Sequence, residues 1–359
     1  MKYLFLVQGE GRGHMTQAIA LSEILTSNGH EVVHTFIGQS TRRAVPNYFI
    51  EQIKSKVELL RSPNFILDKE NKSLNITRSV IYNLFRAGIF LQSLRRINLK
   101  IKKTKPNVVI NFYEILGGFY FRFYHPKNVK HICIGRQFLT NHPNFLFEPG
   151  RYIEKKLFLL NNKLTSQNCY KYLALSFRPY DPIRINNTIV VPPLLKKETM
   201  ESKIIHEDFI LGYMVNDGYA EELISWHENN KEEIIHCFWD RKNMPKTYTP
   251  HKNLFFHSID NSLFVELMKQ CKGYISTAGF DSICEAMYLQ KPVFMVPVKG
   301  QYEQACNAID GEIAGAGIRG SSFDISLFMN ILPYYSSINS FHAWVNNAKS
   351  IFLEELTNL

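Results

Sequence analysis

ISTAGFDSICEAMYLQKPVFMVPVKGQYEQACNA, residues 275–308, reads as a short strand, a small-residue turn at Thr277-Ala278-Gly279 and a helix from about Asp281. A second strand over 292–297 and a further helix near Tyr302 follow. A turn of small residues between a strand and a helix makes an anion site, because the unpaired N–H groups of the first helical turn and the helix dipole both favour negative charge. Glu285 stands one turn into that helix, within reach of a sugar hydroxyl on a ligand whose phosphates rest at the helix start. Glu303-Gln304 follows the next strand, which directs a second polar pair at the same crevice. A nucleotide carrying a sugar-like group suits all three features together. The turn alone reads equally well as an ordinary strand–turn–helix unit with Glu285 in solvent.

The other end of the chain has the same architecture. KYLFLV (residues 2–7) is a continuous apolar run of the kind expected for a buried parallel strand. GEGRGH (9–14) follows, then MTQAIALSEILTSNGH, whose Met15, Ala18, Ile19, Leu21, Ile24 and Leu25 suit one helix face. Gly29 closes that helix and EVVHTFIG begins the next strand. This is the opening βαβ of a doubly wound sheet. GEGRGH lacks the spacing of the dinucleotide fingerprint, and no acidic residue is clearly placed at the end of the second strand, so NAD is not the expected ligand. His14, at the end of a Gly-rich loop, is either a general base, since neutral imidazole suits that task near pH 7, or a surface histidine.

The quoted segment resembles the donor-binding segment of the two-domain GT-B glycosyltransferases that use UDP-sugars. It is most similar to the branch holding the N-acetylglucosamine transferase of peptidoglycan synthesis and the plant and antibiotic glucosyltransferases. The resemblance implies an α/β fold of two Rossmann-like doubly wound domains facing an interdomain cleft, and an inverting transferase. It also implies that His14, behind Gly11 and Gly13, removes the acceptor's proton. The donor diphosphate would lie at the helix start formed by Thr277, Ala278, Gly279, Asp281 and Ser282, with Glu285 on the ribose and Glu303 and Gln304 on the sugar hydroxyls. Ile259 would offer the backbone contact to uracil.

Several departures from the family pattern bear on this reading. Thr277 falls where many members carry a phosphate-binding histidine, so that contact becomes hydroxyl-based. NDG at 216–218 lacks the Gly/Ser-rich phosphate cradle, which leaves Asn216 and Gly218 as the diphosphate contacts of that loop. Asn111 stands where some relatives have an acid, and Glu114 beyond it reads either as the group orienting His14 or as a counterweight to the positive charge around it. There is no Asp-x-Asp element; the nearest spacing, Asp310-Gly-Glu312, lies in an expected helix. No metal and no cofactor are therefore expected, the nucleotide-sugar being a co-substrate. Two other readings use the same fold: a nucleotide-sugar hydrolase or epimerase, in which His14 serves water or a sugar C–H, and a protein that binds nucleotide-sugar without turning it over. The resemblance covers nearly the whole chain as architecture, and its specific motifs about forty residues.

Length and composition agree. A chain of 359 residues with 45% hydrophobic content suits two α/β halves with sizeable cores. No window approaches the ~20 apolar residues of a spanning helix. The first strand is too short, and too soon followed by Glu10 and Arg12, to be a signal peptide. The six cysteines form no CxxC pair, and so suggest neither a zinc site nor a disulfide framework. A cytoplasmic protein, peripheral on the inner face of the cell membrane if it docks there, is the expectation.

The charge is uneven. Of the net +10, residues 71–147 carry +12, with thirteen Lys/Arg against the single acid Glu114, so the rest of the chain is about −2. Within that region, residues 78–105 place Leu, Ile and Phe at helical spacing and gather Arg95, Arg96, Lys100, Lys102, Lys103 and Lys105 at the end. A basic amphipathic helix suits an anionic membrane surface or an anionic acceptor. The plainer alternative is a helix of the first domain with a solvated basic end. No helix-turn-helix, RNP or zinc pattern accompanies the charge, so nucleic acid is not an expected partner.

Between the two ends, strands are expected at 106–114, 129–135, 172–176 and 188–191. Pro192-Pro193 and the KKETMESK run mark a linker. The second half restarts with FILGYMV at 209–215, a helix from Tyr219, and strands at 233–239, 253–259 and 272–276. The expected domains are 1–193 for the acceptor, 194–335 for the donor, and a terminal helix near 340–356 within 336–359 that packs back on the first.

Overall fold

In the computed structural model of the protein, the described residues are 1–39, 45–63, 82–181, 185–214, 217–241, 244–337 and 339–359. They form two compact units, Met1–Lys196 with Trp344–Leu359, and Lys197–Ala343.

The first unit is a seven-stranded sheet of β1 (Lys2–Gln8), β2 (Glu31–Gln39), β3 (Val57–Arg61), β4 (Val108–Phe112), β5 (Lys130–Gly135), β6 (Lys171–Leu175) and β7 (Thr188–Val191). Its order is β3-β2-β1-β4-β5-β6-β7, and every pair is parallel. Tyr3 to Val7 are fully buried, as a strand covered on both faces requires. The helix Arg12–Ser27 turns Met15, Ala18, Ile19, Leu21 and Leu25 inward. It ends in a Schellman motif, in which Gly29, at φ 78°, donates to Thr26 O and His30 N donates to Leu25 O. The strand direction of chain progress reverses between β1 and β4, and the loops after those two strands therefore open the crevice where ligands gather in doubly wound sheets. His14 lies on the first loop's helix and Glu114 just beyond the second strand.

The second unit repeats the plan with β8 (Ile210–Met214), β9 (Ile235–Trp239), β10 (Thr247–His251), β11 (Leu254–Ser258), β12 (Gly273–Ser276), β13 (Val293–Met295) and β14 (Gly317–Arg319). The order is β10-β11-β9-β8-β12-β13-β14, and only β10 runs antiparallel. Its core packs Leu223, Trp226, Trp239, Phe256, Phe294 and Phe328 against the sheet. Burying each such side chain stabilises by about 1.5–3 kcal/mol. The reversal here falls between β8 and β12, so the Thr277–Gly279 turn is at the corresponding crevice.

Several boundaries differ from the sequence reading. The strand expected at 106–114 stops at Phe112, because Tyr113 takes a left-handed conformation at φ 59° and Glu114 caps the next helix. The helix expected over 78–105 is regular over Ala87–Thr104, while 64–81 fall outside the described residues. It buries Ser93, Leu94, Ile97 and Ile101, so one face does pack on the first unit's core. The terminal helix is two, Asn339–Asn346 and Ala348–Thr357. Within the first unit the second is tied down by Tyr3, whose hydroxyl donates to Leu356 O at 2.9 Å, and by Lys171, which pairs with Glu355 at 3.0 Å.

Candidate active site

His14 occupies the third position of its helix, behind the N-cap Gly11 and Gly13. It is buried, 8% exposed. Its Nδ1 lies 3.3 Å from Gln17 Oε1, and its Nε2 lies 3.4 Å from Gln137 Nε2. An amide oxygen only accepts, so Nδ1 carries the hydrogen; Nε2 then presents a lone pair, which the Gln137 amide N–H meets. Tyr113 stacks on the imidazole with ring centroids 5.6 Å apart. The Tyr113 hydroxyl donates to Asn162 Oδ1 at 2.5 Å and accepts from Asn161 Nδ2 at 2.8 Å, while Asn162 Nδ2 donates to Gln137 O at 3.0 Å. The imidazole is therefore fixed on three sides by groups that are themselves held. Burial lowers its pKa from the usual 6.5 to about 4, so it is neutral at pH 7.

Glu114 does not touch His14. Its Oε1 accepts from Ser62 Oγ at 2.5 Å and from Leu116 N at 3.1 Å, as the N-cap of the helix Ile115–Tyr124. Asn111 Oδ1 accepts the Glu114 N–H at 2.7 Å. The carboxyl packs so closely on Gly38 that a Cβ there would lie 1.8 Å from Oε2. Burial raises its pKa to about 7. Orientation of the imidazole by Glu114 gives way to a capping role that was neither of the two sequence readings; Gln17 lies at Nδ1 instead. Gln17, Gln137, Tyr113 and Asn162 were not marked from sequence. Only Gln17 left a local signal there, the i,i+3 spacing that puts two helix residues on one face.

In the second unit, Thr277 and Ala278 are buried and Ala278 takes φ 58°. Its carbonyl accepts from Asn307 Nδ2 at 3.3 Å. Gly279 then caps the helix Phe280–Tyr288, and a Cβ there would meet nothing closer than Ser282 Oγ at 3.6 Å. Asp281, Ser282 and Glu285 are half-buried on that helix. Asp281 puts a carboxylate in the first turn, where it suits a hydroxyl rather than a phosphate. Ile259 sits at the carboxyl end of β11, just before Asp260 caps the next helix. Glu303 and Gln304 open the helix Tyr302–Ile313. Gln304 Oε1 accepts the Val298 N–H at 2.9 Å, and the Tyr219 hydroxyl accepts the Lys299 N–H at 3.1 Å, so the loop after β13 is pinned from two sides. Gln304 therefore commits one of the two lone pairs of its carbonyl oxygen to the loop. Gly218 lies in the short turn Asp217–Tyr219, and Asn216 falls outside the described residues.

The sequence matches the pattern of glycosyl transferase family 1 over residues 1–333. It is 22% identical to the UDP-N-acetylglucosamine--N-acetylmuramyl-(pentapeptide) pyrophosphoryl-undecaprenol N-acetylglucosamine transferase of Clostridium kluyveri, over all of this chain and 97% of that one. Among solved structures it is similar to MurG of Acinetobacter baumannii, with a TM-score of 0.59 at 11% identity, each chain covered in full. It is also similar to UGT2 of Phytolacca americana, solved with UDP-2fluoro-glucose and pterostilbene, with a TM-score of 0.66 at 11% identity over 99% of both chains. The fold these chains share is GT-B.

Proposed function

This chain belongs to glycosyl transferase family 1 and is a glycosyltransferase of the GT-B type, and from that premise we propose that it inverts the configuration of a sugar carried from UDP to a hydroxyl acceptor. The observation that supports this most is the state of His14: buried, neutral, and held by Gln17 so that Nε2 is the basic atom. In this reading the acceptor hydroxyl displaces the Gln137 amide from Nε2 and gives up its proton there as its oxygen bonds to the anomeric carbon. The bond from that carbon to the diphosphate breaks, and UDP leaves. The N–H groups of the Phe280–Tyr288 helix start stabilise the charge that develops on the departing phosphate. Glu285 takes the ribose, Glu303 and Gln304 the sugar, and the backbone at Ile259 the base.

A lipid-linked acceptor at an anionic cytoplasmic membrane surface fits the first unit. Leu84, Phe85, Ile89, Leu91 and Leu99 are exposed on and just before the Ala87–Thr104 helix, beside exposed Arg95, Lys102, Lys103 and Lys105. Among the described residues no helix is long and apolar enough to cross a membrane. The clostridial relative is named for an undecaprenol-linked substrate.

NMR of the product formed from α-linked UDP-sugars tests the reaction. A glycoside of inverted, β configuration with release of UDP is expected. A retained configuration, or free sugar as the only product, overturns the assignment.

A further inference from the structure

Parallel pairing of β5 with β6 brings together three soft donors that lie far apart in sequence. A ring nitrogen of His131, Sγ of Cys133 and Sγ of Cys169 all fall within 4.8 Å of one another, the only such grouping of His, Cys, Asp or Glu among the described residues. His131 and Cys133 are buried on β5, two residues apart and so on one face of the strand; Cys169 is half-buried in the turn before β6. We propose that these three side chains bind one thiophilic divalent cation, of the class of Zn2+, as a structural tie between β5 and that turn.

Four features of the site carry the assignment. The His131 Nδ1–H donates to Gln167 O at 3.1 Å, which fixes the tautomer and turns the Nε2 lone pair towards the sulfurs, as metal-bound histidines are held. Phe121 stacks on the imidazole at 4.0 Å and 3°, locking the ring plane. The Nε2–Sγ distance to Cys133 is 3.4 Å. Zinc bonds of ~2.05 Å to nitrogen and ~2.3 Å to sulfur at a tetrahedral angle require roughly 3.6 Å, so this edge is already close to its final length. Gln167, Asn168 and Tyr172, on either side of Cys169, also line a cavity of about 310 Å³, so open space lies beside the turn that carries the third donor.

The charge also balances. Each thiol loses its proton on binding, and a dication with two thiolates and a neutral imidazole is neutral overall, which suits a buried position. The cation displaces the Asn111 Nδ2 donor 3.3 Å from Nε2, the Cys133 thiol contact to Nε2, and the bonds the Cys169 thiol donates to Lys171 O at 3.0 Å and His131 O at 3.6 Å; Asn111 keeps its bond to Thr165 O at 3.0 Å. CxxC spacing does not show the site because one sulfur is on β5 and the other is 36 residues on, in the turn before β6.

The test is titration of the reduced, metal-stripped full-length protein with Cd2+, followed by displacement with Zn2+, reading the thiolate-to-metal charge-transfer band. One equivalent with two sulfurs and one nitrogen by X-ray absorption is expected, along with a higher melting temperature. Cys133→Ser, Cys169→Ser and His131→Gln should each weaken binding by at least about 10-fold, in line with the loss of a metal ligand or its support, and Cys237→Ser should not. If a site variant fails to fold, the sulfur count in the unaltered protein decides. No charge-transfer band, fewer than two sulfurs at the metal, or equal uptake by all four variants would overturn the proposal.

Discussion

Gln17 Oε1 stands 3.3 Å from His14 Nδ1, three residues along the same helix, and this contact decides which imidazole nitrogen can act as a base. With Nδ1 protonated, Nε2 is left to take a proton. Gln17→Ala removes that preference, and the loss of one buried hydrogen bond, about 1 kcal/mol, should lower kcat roughly five-fold with little change in donor affinity. Steady-state kinetics checks this; an unchanged kcat would show that Gln17 does not set the tautomer.

The pH dependence follows from the same burial. The His14 pKa is lowered to about 4, so the neutral base persists well below the ordinary histidine range. The acid limb of kcat/KM, as far as His14 sets it, should therefore fall near pH 4 and not near 6.5. A limb centred at 6.5 would contradict the buried geometry.

Glu114 makes an opposite prediction for stability. Its pKa in the fold is raised to about 7 from 4.5, so the native state resists ionisation that the unfolded chain accepts. Its contribution is intact below pH 4.5 and declines as pH rises to 7, reaching a loss on the order of 3 kcal/mol. Glu114→Gln keeps the oxygen that Ser62 and Leu116 bond and cannot ionise. Denaturant titrations should show the variant more stable than the parent at pH 8 and equal to it at pH 4.

Donor recognition separates two residues. Glu285→Ala should weaken UDP and UDP-sugar alike, by about 1.5–3 kcal/mol, because ribose is common to both. Gln304→Ala should weaken UDP-sugar more than UDP. Since it also releases Val298 N, some loss for UDP is expected. Calorimetry giving equal losses for both ligands with Gln304→Ala would remove its role at the sugar.

The membrane reading is tested by co-sedimentation with vesicles. Arg96 is already paired with Glu58 at 2.5 Å, so the exposed Arg95, Lys102, Lys103 and Lys105 are the residues to reverse. Binding to anionic and not to neutral vesicles, fading with salt and lost in the four-Glu variant, is expected, because the attraction decays over a Debye length of ~8 Å. Equal recovery with both vesicle types would rule the docking out.

Much of this architecture was written in local pattern. The apolar run of β1, the Gly-rich loop before His14 and the Thr277–Gly279 turn each show the period or small-residue composition that their structure needs. Edges were harder to read. β10 carries Pro250, tolerated only because an edge strand has one unpaired side, and β14 is three residues long. The partners of His14 were harder still. Gln137 lies 123 residues away, and Asn162 reaches His14 only through Tyr113 and Gln137. Such contacts exist once β4, β5 and the following helix pack, and no window of sequence contains them. The terminal helix broke at Asn347 where periodicity alone ran on.

The most direct test compares His14→Ala with the parent in two measurements on one preparation: turnover of UDP-sugar with acceptor, and calorimetric affinity for UDP. A base lost from the first unit should lower turnover by roughly 100-fold or more and leave UDP affinity nearly unchanged. Unaltered turnover, or a fall in turnover matched by an equal fall in UDP affinity, would contradict the account.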